Sequence, residues 1–448
     1  MMINYSIIQK SQLEGSHRID AEYYQPEYLE LDRKIKKFNN YLLGDLVSSF
    51  ASGKNLPQIN DKQTGKTFFI RTQNVRQILI DKEGMSFIDS GIQKYPLLNE
   101  GDILAVRVGE GVGNTAIVTP EFAGHSYSDN VIRFKLKKLD PYFVIVFLNS
   151  KAGFDYLERV SKGSARSLIS SENIYSIRAP DLGEEVNKVC RKAILFAAKE
   201  IKESESVYSQ AEDLLLQELG LKDFKAEEDL SCIVKLSDVK SIHRIDAEYF
   251  QPKYEKIIGK IKRHNLKSLG ELVSMKKGFE PGSDEYQNDG KAFLRVSSIS
   301  KNGLIDKDQK YISDDLYSEL KNSFEPKKGD ILLTKDATPG IAYVLKESIE
   351  GIVASGIMRL KIKEDIDREY IALCINSIIG QMQIERDAGG SIIVHWKPEQ
   401  IKNLQIPILP KSIQQKIADL VRKSHEACKK AKELLEKAKQ KVEKIISE

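Results

Sequence analysis

The chain has 448 residues, 41% hydrophobic and 30% charged, with 69 Lys and Arg against 65 Asp and Glu, for a net charge of +4. That length calls for two or more domains, since domains run to roughly 100–200 residues, and the composition supplies ample apolar material for their cores. So small a net charge excludes a protein that coats nucleic acid with a wholly basic surface, but leaves room for a local basic face.

In chain order, the N-terminal MMINYSIIQK lacks the charged, then apolar, then small pattern of a secretion signal. A first helix is expected to open at Asp20, a good N-cap with Tyr23 three positions on, and to end near Lys37. Alternating or apolar segments at 67–72, 102–108, 115–119 and 131–136 read as strands. Between two of them, Gly109, Gly111 and Gly113 superficially resemble a nucleotide-binding glycine cluster, but a cluster joining two strands reads as a hairpin turn. An amphipathic helix follows at 141–160, and a last strand at 174–178. The longest apolar run, 142–148, lies inside that helix and is far short of the roughly 20 residues a membrane span needs.

After Pro180 the chain reads as one long helix to about Leu219. Cys190, Ile194, Ala197, Ile201, Ser204, Tyr208, Ala211 and Leu215 step by alternating fours and threes, the heptad seam of a coiled coil.

The chain then repeats itself. HRIDAEYYQP at 17–26 returns as HRIDAEYFQP at 243–252, nine of ten positions identical at an offset of 226. LGDLV at 43–47 returns as LGELV at 269–273, and GDIL at 101–104 returns at 329–332. Asn149, Ser150 and Gly153 return as Asn376, Ser377 and Gly380, while Ile174, Ile177 and Pro180 line up with Ile401, Leu404 and Pro407. The second copy therefore opens a helix at Asp246, with Tyr249 in the place of Tyr23, that ends near Arg263. Its strands are expected at 292–296, 330–334, 341–345 and 356–362, its amphipathic helix at 368–386 and its last strand at 401–406. After Pro410, Ile413, Ile417, Leu420, Ser424, Ala427, Ala431, Leu434 and Ala438 form a second seam.

The expected fold is α+β: two repeated modules with antiparallel sheets, 1–182 and 223–410, and two long helices, 183–222 and 411–448, forming an antiparallel coiled coil. A helix of about 35 residues is roughly 50 Å long, enough to act as a ruler between segments of DNA about 34–36 Å apart, one helical turn. Between the matched landmarks the copies diverge, as in 53–74 against 278–298. A constant scaffold with changed loops suits two modules that recognise different things.

Catalytic motifs do not appear: there is no Gly-x-x-x-x-Gly-Lys phosphate loop and no His-Glu-x-x-His metal motif. Cys190, Cys232, Cys374 and Cys428 are scattered without a CxxC pair, which argues against a zinc site or a disulfide framework and fits a reducing cytoplasm. His17 and His243, as repeat equivalents, point to a shared structural role. Basic and amide-bearing loop residues beside strands remain. They are Arg71, Asn74, Arg76, Arg107, Asn114, Lys162 and Arg166 in the first copy, and Lys276, Lys277, Arg295, Ser297, Lys335, His395, Trp396 and Lys397 in the second. Arg reaches guanine O6 and N7 bidentately, Asn does the same to adenine, and Lys and Ser more often hold phosphates. The second module is close to neutral, so charge alone does not make it a DNA binder.

The two HRIDAEY segments, the closing Gln405-Ile406-Pro407-Ile408-Leu409-Pro410 and the following Ser412-Ile413-Gln414-Gln415-Lys416-Ile417 resemble the DNA specificity subunit of type I restriction-modification systems. The resemblance spans the chain in order: module, helix, module, helix. The first copy departs from the closing pattern, since 179–185 lacks the second proline and the glutamines. The resemblance implies a non-catalytic subunit whose two target recognition domains each read one half of an interrupted, asymmetric DNA sequence, with the helices setting the unread spacer. It implies two methyltransferase subunits docked on the framework and motor-nuclease restriction subunits joining them. S-adenosylmethionine, ATP and Mg2+ are then carried by those partners, and the target adenines are flipped by the methyltransferases. The parts common to both halves, with Tyr23, Tyr249, Ile201, Tyr208, Ile417 and Leu420, are the expected partner-binding residues. A self-sufficient DNA methyltransferase or nuclease, a two-module scaffold that binds other proteins, and the specificity component of another DNA-modifying complex are the alternatives.

Overall fold

The computed structural model describes residues 5–11, 13, 18–56, 67–88, 94–109, 111–161, 169–225, 231–287, 289–305, 309–388 and 395–448. The chain forms two compact units, one of residues 1–201 with 429–448 and the other of residues 202–428. The first long helix, Glu184–Glu218, and the second, Lys411–Ser447, each contribute to both units.

In the first unit a four-stranded antiparallel sheet has the order Val47–Ser52, Val131–Leu136, Ile103–Val106, Thr115–Ile117. Every residue of Ile103–Val106 is buried, as befits a central strand with both faces covered. A second sheet places Thr67–Ile70 between Ser86–Ile88, antiparallel, and Ser126–Tyr127, parallel. Asn40–Leu42 and Arg178–Pro180 pair as a separate ribbon that brings the ends of the module together. The glycine cluster is the hairpin turn expected of it: Gly109, Gly111 and Gly113 all have positive φ, between the antiparallel strands Ile103–Val106 and Thr115–Ile117.

The second unit repeats this topology strand for strand. Its four-stranded sheet runs Val273–Lys277, Ile357–Ile362, Ile331–Thr334, Ala342–Val344. Its three-stranded sheet places Lys291–Leu294 between Lys310–Ile312, antiparallel, and Gly351–Val353, parallel. Leu266–Ser268 and Gln405–Pro407 close the module. Between the matched strands it adds the short hairpin Ile299–Ser300 with Gly303–Leu304 and the helix Asp314–Phe324.

The repeated sequence landmarks turn out to be structural joints. Asp102 and Asp330, from the two GDIL segments, accept the N–H of Asn99 (2.8 Å) and Lys327 (3.0 Å). Each also faces an arginine of the neighbouring strand, Arg133 at 3.6 Å and Arg359 at 3.4 Å. Asn149 Nδ2 donates to the Thr115 carbonyl (3.1 Å), and Asn376 Nδ2 to that of Ala342 (2.8 Å), which ties the end of a buried helix to the edge of the sheet. Here the single helices expected at 141–160 and 368–386 are each two: Pro141–Leu148 with Lys151–Ser161, and Arg368–Asn376 with Ile378–Ala388. The break follows from close packing at the corner. A Cβ on Gly153 would lie 2.1 Å from the Phe147 carbonyl oxygen, and one on Gly380 2.2 Å from that of Ile375.

Two further expectations need correction. The segments expected as last strands begin as short helices, Ser171–Tyr175 and Pro398–Asn403, and only then become the strands Arg178–Pro180 and Gln405–Pro407. In the first of these, Ser170 and Asn173 cap each other's backbone N–H groups, at 3.3 and 2.8 Å, which outweighs the apolar pattern. Likewise Asp20 opens only a 3-10 turn, Ala21–Tyr24, and the α-helix starts at Pro26 and ends at Ile35. Its counterpart is Pro252–Ile261. Proline fixes φ and needs no N–H partner, so it sets the first helical position in both copies. The carboxylate of Asp20 is engaged by Arg18 at 2.7 and 2.6 Å.

The helix seams pack as their spacing predicts. Within the first unit, residues 184–201 run antiparallel to 429–447, burying Cys190, Ile194 and Ala197 with Ala431, Ala438, Val442 and Ile446. Glu200 pairs with Lys430 at 2.7 Å on the outside. Within the second unit, Tyr208, Ala211 and Leu215 are buried with Ile417 and Val421. In the same unit the Ser204 and Ser424 hydroxyls lie 3.0 Å apart, and Ser424 Oγ donates to the Ser204 carbonyl at 2.8 Å. Serine and alanine at seam positions are what allow two backbones to come this near. Among the described residues, no helix is long and apolar enough to cross a membrane.

Candidate nucleic-acid interface

Arg71 and Arg107 in the first module, and Arg295 and Lys335 in the second, lie at the same corner, where the central strand of the three-stranded sheet ends beside the end of a strand from the four-stranded sheet. In the first module Arg71 follows Thr67–Ile70 and leads into the 3-10 turn Thr72–Asn74; in the second Arg295 follows Lys291–Leu294 and leads into Val296–Ser298. The two arginines have nearly the same backbone, φ/ψ of −104/172° and −102/171°. Each turn is closed by its last side chain: Arg71 N–H donates to Asn74 Oδ1 (3.0 Å) and Arg295 N–H to Ser298 Oγ (3.2 Å).

The second wall of the corner is also shared. Arg107 N–H donates to the Asn130 carbonyl (2.9 Å), and its own carbonyl accepts from Ile169 N–H (3.1 Å). Lys335 N–H donates to the Gly356 carbonyl (2.9 Å), and its carbonyl accepts from Trp396 N–H (2.8 Å). One backbone frame thus carries Arg71 with Arg107 in one module and Arg295 with Lys335 in the other. Glycines let the frame close. A Cβ on Gly53 would lie 2.2 Å from the Tyr127 carbonyl oxygen, and one on Gly278 2.1 Å from that of Ala354.

In the first module the corner opens as a cleft of about 340 Å³ lined by Asn55, Leu56, Phe69, Arg71, Thr72, Ser128, Asp129 and Asn130. Phe69 supplies an apolar wall, while Arg71, Asn55 and Asn130 offer donors, and Asp129 acceptors alone. Of these eight only Arg71 was expected from the sequence; the polar residues Asn55, Thr72, Ser128, Asp129 and Asn130 were missed. The available signal was their place: Asn130 immediately precedes the repeated strand Val131–Leu136, as Gly356 precedes Ile357–Ile362.

Not every candidate joins this corner as an open side chain. Asn74 is buried, and its amide donates to the Asp81 and Glu83 carbonyls, both at 3.0 Å, so it holds the loop together. Arg76 faces Asp81 at 3.6 Å, and Asn114 donates to the Val75 carbonyl at 3.3 Å. Trp396 is buried in the core of the second module. Lys276 and Lys277 are exposed at the end of Val273–Lys277, with Lys276 Nζ 5.0 Å above the Phe324 ring. Ser297 and Lys397 are exposed. Lys335 Nζ donates to Asp336 Oδ2 (2.6 Å), and His395 Nδ1 lies 2.9 Å from Asp336 Oδ1. Lys162, Arg166 and His17 lie outside the described residues.

The residues expected to meet partners divide likewise. Tyr208 and Ile417 are buried in the second unit, Tyr208 Oη accepting from Asn376 Nδ2 at 3.2 Å, while Ile201 and Leu420 are half-buried on the long helices. The Tyr23 ring meets the guanidinium groups of Arg18 (4.9 Å) and Arg159 (4.1 Å), and the Tyr249 ring those of Arg244 (4.6 Å) and Arg386 (5.4 Å). The Arg18 hydrogen bonds hold the Asp20 carboxyl below its ordinary range, and Arg244 does the same for Asp246. The HRIDAEY segments are therefore fixed by a repeated Arg–Asp–Tyr clamp. The same clamp leaves Ile19 and Ile245 outside it, 90% and 89% exposed.

No curated protein matches the chain. The S subunit of a type I restriction-modification system from M. genitalium is similar at 12% identity, over 91% of this chain and 95% of that one, with a TM-score of 0.40. The HsdS subunit from Thermoanaerobacter tengcongensis is similar at 12% identity, over 91% and 96%, with a TM-score of 0.29. The family model described as the type I restriction modification DNA specificity domain matches residues 262–443, from the end of the first helix of the second module to the last turns of the second long helix. Over those residues the chain is similar to the type I restriction modification DNA specificity domain.

Proposed function

We propose that this chain is the sequence-reading subunit of a type I restriction-modification complex, in which each module reads one half of a bipartite, asymmetric DNA target. The observation that carries this reading is the repeated corner. One backbone frame holds Arg71, Arg107 and Asn130 in the first module, and Arg295, Lys335 and Gly356 in the second. Two readers of different sequences need that combination: a common frame to set the approach to the groove and different side chains to choose the base. The chain itself does no chemistry in this scheme. Two methyltransferase subunits bring S-adenosylmethionine, and restriction subunits bring ATP and Mg2+. The duplicated HRIDAEY clamps, with Ile19 and Ile245 exposed, suit docking of two copies of one partner.

The test is to express the chain with its methyltransferase and map N6-methyladenine across a genome. A single interrupted, asymmetric motif is expected. Arg71→Ala should relax or alter only one half of that motif and Arg295→Ala only the other, at a cost of about 1–3 kcal/mol if the contact is bidentate. Absence of any sequence-preferring methylation or binding by the assembled complex would overturn the reading. A uniform loss across all sequences would instead make the two arginines phosphate contacts.

A further inference from the structure

The hairpin turn between Ile331–Thr334 and Ala342–Val344 holds a charge arrangement where the first module has Arg107 followed by a run of glycines. Asp336 sits at the start of this turn, next to Ala337, which is held in the left-handed region at φ 61°. Its two carboxylate oxygens are both used: Oδ2 accepts from Lys335 Nζ at 2.6 Å, and Oδ1 lies 2.9 Å from His395 Nδ1. His395 also pairs with Asp336 through the backbone as an isolated bridge. The next residue, Trp396, is buried and donates its N–H to the Lys335 carbonyl at 2.8 Å, which anchors the segment. The imidazole ring itself is 63% exposed on its side-chain surface, and its Nε2 has no hydrogen-bond partner among the described residues.

A carboxylate against Nδ1 keeps the proton of an imidazole on that nitrogen, so that Nε2 is aimed outward. Burial would push the Asp336 carboxyl up, but the hydrogen bonds from Lys335 and then His395 hold it below its ordinary range, so the anion persists across the pH range in which histidine titrates. The charged groups around the ring are Asp336 and Lys335 on the turn, and Lys397 two residues along its own segment. The Lys335 charge is already engaged by Asp336, and Lys397 is exposed.

We propose that Asp336 and His395 form a proton-linked phosphate clamp for the half-site read by the second module. On binding, His395 takes a proton from solvent and donates Nε2–H to a backbone phosphate oxygen of the DNA, with Asp336 as the positioning residue. A phosphate is favoured over a base edge by the ring's own energetics. An imidazolium between a carboxylate and a phosphate faces an anion at each nitrogen, whereas a base edge offers only a dipole. The clamp rests on the DNA-reading role proposed above, and its test separates the two.

The assembled complex is titrated with a duplex carrying its mapped target, from pH 6 to 8.5 at fixed salt, alongside His395→Gln and Asp336→Asn. Affinity should fall as pH rises, by at most about tenfold per pH unit for one linked proton. His395→Gln should abolish that dependence and lower the magnitude of the log–log salt slope by about 0.9, the value for one phosphate. Asp336→Asn should weaken binding more at pH 6 than at pH 8.5, an effect that a purely structural role for the carboxylate does not produce. Sequence-preferring binding with no pH dependence, or a dependence that survives in His395→Gln, would overturn the clamp and leave the reading role standing. A lost preference at a single base pair with an unchanged salt slope would overturn it in favour of a base contact. Failure of the wild-type complex to prefer any sequence would remove the reading role itself, and the clamp with it.

Discussion

At the scale of single residues, His425 shows how much a long helix can bury in a module of this kind. It lies in the stretch of Lys411–Ser447 that belongs to the second unit, with Nε2 3.0 Å from the Lys301 carbonyl and its ring 5.4 Å from that of Tyr343. Its Nδ1 is 3.8 Å from Glu369 Oε2, and Glu369 is in turn paired with Lys346. Burial, then the nearby Lys346 charge, lowers the histidine to about 4 against an ordinary 6.5. The unfolded chain therefore binds a proton that the folded one refuses between those values. The stability that neutral His425 contributes is complete above pH 6.5 and is lost as pH falls toward 4, by about 3 kcal/mol at most. Glu369, raised chiefly by burial, acts in the opposite sense. Urea unfolding of wild type and His425→Gln across pH 4–7.5 isolates the histidine: the variant should lose less stability on acidification. Equal slopes would show that His425 is not neutral in the fold. Residue roles of this kind were the least legible part of the sequence. Asn74 and Trp396 carry the right chemistry for a nucleic acid, yet the fold buries them, whereas Asp129 and Asp336 carry the wrong charge and stand in the corner. Composition reports what a side chain can do, but only the tertiary fold reports where it points.

Secondary elements were more legible, and they went astray at joints. Three strands of each four-stranded sheet lie within the segments their alternation marks, because a period of two over a half-buried surface is a strong signal, whereas the edge strands Val47–Ser52 and Val273–Lys277 went unmarked. The corner at Asn149-Ser150-x-x-Gly153 was legible as a repeated landmark but not as a helix break, since its cause is a close approach between two helices and not a local breaker. Ser150 Oγ donates to the Phe147 carbonyl (2.6 Å) and Ser377 Oγ to that of Cys374 (2.9 Å), and each following glycine then leaves room for the second helix to cross the end of the first. Gly153→Ala and Gly380→Ala should each destabilise the protein by about 1–3 kcal/mol, the usual range for overpacking a close contact. Gly259→Ala is the control, because a Cβ there meets nothing within 4 Å and its helix gains propensity. Thermal unfolding of the three variants checks this ordering. A Gly380→Ala protein as stable as the Gly259→Ala one would mean that the corner is not tightly packed.

On the scale of the whole molecule, the doubled sequence was the most informative feature, and it was readable because identity at matched offsets does not depend on knowing any contact. Each half supplies one module, and the alternating steps of the seam residues fix which face of each helix is covered. The buried sets Cys190, Ile194 and Ala197, and Tyr208, Ala211 and Leu215, agree with that stepping. A seam with a period of seven has a further consequence. Adding one heptad to each long helix preserves which residues meet, whereas adding three or four residues rotates the seam out of contact. Seven residues inserted after Glu203, and seven after Lys423, would each extend a helix by about 10 Å at 1.5 Å per residue, equal to about three base pairs at 3.4 Å each. If the helices set the unread spacer of a bipartite target, the paired insertion should lengthen that spacer while leaving both half-sites unchanged, and a single-helix insertion should abolish function by mismatching the seams. Methylation mapping with the variant subunit reads both quantities at once. A fixed spacer with altered half-sites would exclude the ruler. A longer spacer with the same half-sites would instead separate the two properties physically, with base choice residing in the module corners and distance in the helices.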